Sequence, residues 1–229
     1  MKRQPGEKLH TYFLFIIIFI ATVMRLWQFD FFSYSNDELS AIIRLEYDNL
    51  GDLIEHGVKK NDFHPAGVQV FLYYWTKIFG TSEFAVRLPF VIAGILAVLF
   101  SYLVAKKWFG KNTALFTAAA VAALSYPILY SQIARPYSPG LFFCMAGVYF
   151  WSRLIFENQW KEYKNLSGYI LFSTLAAYTH HFSFLFMIIV GATGLFLIKR
   201  RYLKTYLLAA LVVFILYLPH LPVFLYQFG

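Results

Sequence analysis

Seven apolar stretches alternate with polar ones along the chain, at roughly 11–29, 87–105, 113–131, 137–155, 166–181, 183–198 and 206–220. Each is near the ~20 residues an α-helix needs to cross a hydrocarbon core. Residues 11–29 are followed by no small-x-small cleavage site, so they are expected to remain as a span. An eighth apolar segment, 64–80 (HPAGVQVFLYYWTKIFG), is long enough to be counted with them. Within the segment between the first two spans, Leu39, Ile42, Ile43, Tyr47, Leu50 and Ile54 recur at helical spacing among Arg44, Glu46, Asp48 and Asp52. That pattern predicts an amphipathic helix lying on a membrane surface.

Composition fits the pattern. Of 229 residues 59% are apolar and only 14% charged, too few charges to clothe a soluble domain of this size. The class expected is therefore an all-α polytopic membrane protein, a single membrane domain over 1–229. Cys144 is the single cysteine, which excludes an intrachain disulfide and a cysteine metal site. The 21% aromatic share suits membrane interfaces and span packing.

The net charge of +8 suggests nucleic acid only if positions are ignored; no nucleic-acid partner is expected. If 64–80 does not cross, the clusters Lys2/Arg3/Lys8, Lys106/Lys107/Lys111, Arg153/Lys161/Lys164 and Lys199/Arg200/Arg201/Lys204 share one side, 13 of the 20 basic residues. The positive-inside rule makes that side cytoplasmic, with the N-terminus, and makes 64–80 a re-entrant or surface-lying helix with Pro65 near its first turn. The extracytoplasmic side then carries a loop of about 30–86 that holds nine of the 12 acids, and five of the six histidines fall on that side. The sequon Asn165-Leu166-Ser167 falls on the cytoplasmic side and is set aside.

Candidate chemistry gathers on the extracytoplasmic face. Asp37-Glu38 opens the amphipathic segment, with Asn36 as the expected cap. The pair reads either as acids favoured by the helix dipole or as a carboxylate acting as base or metal ligand. Adjacent helical residues point about 100° apart, so one of the two is expected to face a given site. His64-Pro65 reads as a helix entry or a site residue. Arg87 and Arg135 stand at outer span mouths, against the basic bias, where two guanidiniums suit a phosphate that must be neutralised. His180-His181 lies at a tight turn between spans and reads as a polar hinge, a metal ligand or a substrate contact.

The order of these motifs resembles the polyprenyl-phosphate-dependent GT-C glycosyltransferases. The similarity lies in Tyr34-Ser35-Asn36-Asp37-Glu38, His64-Pro65, Phe84-Ala85-Val86-Arg87-Leu88-Pro89, Ser131-Gln132-Ile133-Ala134-Arg135-Pro136-Tyr137 and Tyr178-Thr179-His180-His181-Phe182. The nearest branch is the dolichyl-phosphate-mannose-protein mannosyltransferase-like family, which includes the bacterial lipid A aminoarabinose transferases. The resemblance covers about residues 11–220. It implies a bundle of about seven spans with surface helices in the first outer loop. It also implies inverting transfer of a sugar from a polyprenyl-phosphate donor to a lipid, glycan or protein hydroxyl, at the extracytoplasmic face of a bacterial inner membrane. By position, Asp37 would be the catalytic base and Glu38 its support. Arg87 and Arg135 would hold the carrier phosphate, and His64, Tyr137, His180 and His181 would line the site.

A divalent cation is left open as cofactor, and Ile133 stands where bacterial members often carry Glu. Most members of the resembled family have further spans, and often a soluble C-terminal domain. The resemblance therefore implies an N-terminal module, whose activity by itself is not assured. The competing readings are a transporter or lipid flippase, against which the nearly uncharged spans argue, and a non-catalytic membrane subunit.

Overall fold

The computed structural model describes residues 5–229, with side chains from Lys8 onward. Lys2 and Arg3 of the first basic cluster therefore lie outside the described residues. Among those described there is no strand, and twelve α-helices follow one another. They are α1 (Pro5–Leu26), α2 (Asn36–Ile43), α3 (Leu50–Asp52), α4 (Gly67–Phe79), α5 (Glu83–Phe109), α6 (Lys111–Ala123), α7 (Ser125–Leu129), α8 (Tyr137–Ile155), α9 (Tyr163–Thr179), α10 (His181–Leu197), α11 (Leu203–Tyr217) and α12 (Leu221–Phe228). Each apolar stretch read from the sequence is largely helical. By length and composition, Lys8–Leu26, Glu83–Phe109 and Arg200–Phe228 suffice to cross a membrane, and His181–Leu197 is a shorter apolar helix. Chain and composition together make this an all-α membrane protein.

Small residues set the packing at one side of the bundle. Ala114, Ala118 and Ala122 form an i, i+4 stripe on α6 that meets Ala21 of α1 and Val98 and Ala105 of α5, all buried. Without a hydrophobic drive between helices in lipid, such close backbone approach is what dispersion rewards. At the other side Trp151, Leu154, Tyr169, Met187 and Tyr206 form a larger core between α8, α9, α10 and α11. Large apolar side chains point outward instead, Phe116 77% and Phe196 89% exposed, as a lipid-facing surface requires.

The stretch 113–131, expected to be one span, is broken. Leu124 is extended (φ −62°, ψ 131°), between α6 and α7. Pro127 explains the break, because it lacks an N–H and its ring would clash with the carbonyl four residues earlier. Arg25, fully buried at the end of α1, donates to the freed carbonyls of Val121 (2.9 Å) and Ala122 (3.1 Å).

The stretch 39–54, expected to be a single amphipathic helix, is also broken. After α2 the chain makes a 3-10 turn over Arg44–Glu46, and Tyr47 is extended. Asn49 then caps α3 by accepting from the Asp52 N–H (2.9 Å). A π-helical run over Leu53–Lys59 follows. Ser35, not Asn36, caps α2: its side chain accepts from Glu38 N–H while the Glu38 carboxylate accepts from Ser35 N–H.

The α4 helix has both ends at the same end of the bundle. Gly67 abuts the Tyr178 carbonyl at the end of α9, and Ala66 N–H donates to His220 Nε2 (2.9 Å) just after α11. At its other end Trp75 Nε1 donates to Ala85 O in the first turn of α5 (2.8 Å). A crossing helix would separate those ends, so α4 lies across the bundle. At the opposite end Lys107 pairs with Glu157, and Trp108 Nε1 donates to Ser152 Oγ (2.9 Å).

Candidate functional site

The ends of α1, α9 and α11 and the starts of α2, α5, α8 and α10 meet at the end of the bundle that α4 covers. The capping arrangement at α2 turns Glu38 inward and leaves Asp37 exposed. Glu38 is completely buried, and Arg87 is 4% exposed. Arg87 grips it with two parallel bonds, Nε to Oε1 (2.7 Å) and Nη2 to Oε2 (2.8 Å). Ala134 N–H (3.0 Å), Ser35 N–H (3.0 Å) and the Ser35 hydroxyl (3.0 Å) complete the carboxylate's shell. Burial pushes the Glu38 carboxyl up, but these bonds outweigh it and hold the group below its ordinary value.

The same geometry changes the reading of Arg87. Its remaining N–H groups go to the carbonyls of Phe29 (2.8 Å), Phe32 (2.8 Å) and Ser33 (3.1 Å). All five guanidinium donors are thereby used inside the protein, so Arg87 has none left for a phosphate. The pair staples the loop after α1 to α5 and α8.

Arg135 is the opposite case. It is 7% exposed, and its Nε has no partner among the described residues. Nη1 reaches Asp37 O only at 3.4 Å, and Nη2 lies 3.2 Å from His64 Nδ1. A buried guanidinium with unused donors attracts an anion. The Asp37 carboxylate makes no hydrogen bond or ion pair with the described residues, and its charge reaches the Tyr130 hydroxyl.

His64, Tyr137 and His180 form a cluster beside Arg135, with ring centroids 5.4 Å apart for His64–His180, 5.8 Å for Tyr137–His180 and 6.3 Å for His64–Tyr137. His180 caps α10 by accepting from Phe182 N–H at Nδ1 (3.1 Å). Burial, with the charges of His64, His181 and Arg135, lowers its pKa to about 4. It is therefore neutral at neutral pH, with its proton on Nε2. His181 turns toward α12, where Nε2 lies 3.2 Å from Gln227 Oε1 and the ring packs on Phe228.

Asp62 and Arg44, which the sequence reading did not single out, belong to this cluster. Asp62 Oδ1 lies 2.9 Å from His64 Nδ1, and Arg44 Nη1 donates to Asp62 Oδ2 (2.8 Å). The available signal was the spacing Asp62-Phe63-His64, which lets a carboxylate turn back onto the ring two residues later.

Two apolar grooves open at the cluster. One, of about 440 Å³, runs between α7, α8 and α10 past Tyr130, Tyr137, Leu141, Met145 and Phe186. The other, of about 530 Å³, runs along α10 and α12 past Phe63, Leu185, Ile188 and Phe228. His180 and Phe182 border both. Among the described residues no three His, Cys, Asp or Glu side chains converge as a metal-ligand set.

Charged groups and apolar grooves thus gather at one end of an all-α membrane bundle. The chain belongs to the dolichyl-phosphate-mannose-protein mannosyltransferase family, whose pattern matches residues 63–223. It is thus an integral membrane protein of a glycosyltransferase family. The matched part contains His64, Arg87, Arg135, Tyr137, His180 and His181, whereas Asp37 and Glu38 precede it. No curated protein and no solved structure matches the chain.

Proposed function

We propose that this protein transfers a sugar from a polyprenyl-phosphate donor to an acceptor hydroxyl, with inversion, at the extracytoplasmic face of a bacterial inner membrane. The observation that carries the proposal is Arg135: a buried cation with unused donors that touches the backbone carbonyl of Asp37 (3.4 Å), whose exposed carboxylate has no partner among the described residues. The donor phosphate sits on Arg135 and its isoprenoid chain in the groove between α7, α8 and α10, whose rim residues Pro136 and Tyr137 follow Arg135 directly.

In the reaction the acceptor oxygen attacks the anomeric carbon from the face opposite the phosphate. The C–O bond to phosphate breaks, and the bonding pair leaves with the phosphate. Asp37 takes the hydroxyl proton, and Arg135 stabilises the charge developing on the leaving group. Glu38 and Arg87 hold the loop that presents Asp37. His180 offers an N–H and Tyr137 a hydroxyl to the sugar. The orientation follows from the basic residues gathered at the opposite end. Charged groups gather at the two ends of the bundle instead of descending its interior, which favours transfer over transport.

The test is transfer in membranes supplied with a panel of polyprenyl-phosphate sugars, for this chain and for any longer native form. Asp37→Asn is expected to lower kcat by at least 100-fold with membrane insertion unchanged. Arg135→Gln is expected to raise the donor KM by about 10-fold or more, as loss of a charge-assisted contact implies. Normal transfer by Asp37→Asn would falsify the assignment of the base.

A further inference from the structure

One nitrogen in the cluster faces two incompatible neighbours. His64 Nδ1 lies 2.9 Å from Asp62 Oδ1 and 3.2 Å from Arg135 Nη2. A guanidinium only donates and an ionised carboxylate only accepts. With a proton on Nδ1, the contact to Asp62 is a hydrogen bond and the contact to Arg135 is not. Without it the situation reverses. Neither tautomer satisfies both.

The two neighbours are not held equally. Asp62 is anchored by Arg44 at Oδ2 (2.8 Å) and by His64 N–H at Oδ1 (3.2 Å). Arg44 also donates to Asn61 O (2.7 Å). Gln227 Nε2, reaching over from α12, donates to Asp62 O (2.9 Å) and His64 O (3.2 Å). The turn that carries Asp62 and His64 is thus fixed from two sides. Burial raises the Asp62 carboxyl, but His64, Arg44 and Arg135 outweigh it and keep the group ionised. Arg135 has only its long bond to Asp37 O and an unpaired Nε. When an anion arrives, Arg135 is the partner free to turn toward it.

We infer that Asp62 is a positioning residue that fixes His64 in the Nδ1–H tautomer, and that an anion on Arg135 consolidates this state, leaving His64 Nε2 as a hydrogen-bond acceptor. The inference rests on the reading of Arg135 as the phosphate holder. Its consequence is an ordered site. Phosphate binding removes the donor competing for Nδ1, and only then is Nε2 committed to accept from a hydroxyl. The neighbouring His180 presents the complementary group: its Nδ1 already accepts from Phe182 N–H, so its Nε2 donates. Rings 5.4 Å apart, one accepting and one donating, suit the hydroxyls of a sugar, each of which does both.

The tautomer is read directly by ¹⁵N NMR on the full chain labelled at histidine in nanodiscs, with His64→Gln giving the assignment. Farnesyl phosphate is the probe, with farnesol and inorganic phosphate as controls. Farnesyl phosphate is expected to move His64 Nε2 to the unprotonated position, and farnesol to leave it unchanged. A response to inorganic phosphate alone also supports the coupling and shows that the anion suffices. Asp62→Asn is expected to abolish the response while farnesyl phosphate still binds within about threefold, and Asp62→Glu to restore it. Should Asp62→Asn fail to fold, Arg135→Met supplies a second reading: it is expected to give the Nδ1–H tautomer with no phosphate present. A proton found on Nε2 in the farnesyl phosphate complex overturns the inference, as does an unchanged response in Asp62→Asn. If farnesyl phosphate does not bind the wild-type chain, the coupling and the Arg135 reading fall together. Absence of sugar transfer alongside a normal tautomer response removes only the proposed reaction.

Discussion

At the start of α2, Asp37 and Glu38 occupy successive positions about 100° apart round the helix, which commits them to different environments. Glu38 closes onto Ser35 and Arg87 inside the protein, while Asp37 faces out with its carboxylate unshared. The Glu38–Arg87 pair is a structural clamp whose removal leaves an uncompensated buried charge. Arg87→Ala is expected to destabilise the protein by about 3–5 kcal/mol, read as thermal unfolding in detergent. Because the Glu38 carboxyl is held below its ordinary value of 4.5, the clamp's contribution is present above that pH and is lost as pH falls through the folded-state value. Arg87→Ala and wild type should therefore converge in stability under acid conditions. Helix spacing alone showed that one of the two acids would face a site but not which one, and the family resemblance pointed to Asp37. The capping signature Ser35-x-x-Glu38 was the clue, since a glutamate that reaches back to its cap cannot also be a base.

Among the elements, α4 shows how a local contact controls placement. Gly67 lies where a Cβ would meet the Tyr178 carbonyl and backbone at the end of α9. Backbone cannot yield as a flexible side chain does. Gly67→Ala is expected to cost about 1–3 kcal/mol by overpacking. It should also impair transfer by shifting the turn that carries His64. A glycine at a helix start is legible as a sequence feature; its contact with a residue 111 positions later is not. The same holds for the Asp62–His64–Arg44 cluster. Its members lie within one loop, but the 3-10 turn at Arg44–Glu46 and the break before Asn49 bring Arg44 back to Asp62.

For the whole molecule, the decisive question is whether 64–80 crosses. Both ends of α4 meet the same end of the bundle, and α2 to α4 lie between α1 and α5 at that end. Cysteines introduced at Asn49 and Ser82 should be labelled by an impermeant maleimide from one side of the membrane. Those at Asn112 and Lys161 should be labelled only from the other. Cys144 is buried and should contribute little background. Labelling of Asn49→Cys and Ser82→Cys from opposite sides would show that α4 spans.

Hydropathy alone determined the membrane class and the helical stretches, because every backbone polar group in a hydrocarbon core must be satisfied within its own helix. The segregation of basic residues likewise indicated that 64–80 does not cross. Pro127 was visible too, although it was read through as part of one span. What only the tertiary structure decided was which of the polar residues near one end are spent on one another. Arg87 and Arg135 are equivalent in sequence, each an arginine at a span mouth. One meets a buried carboxylate and three carbonyls, and the other is left with donors to spare. That difference depends on hydrogen-bond partners 49 to 58 residues away for Arg87, and no local pattern encodes it.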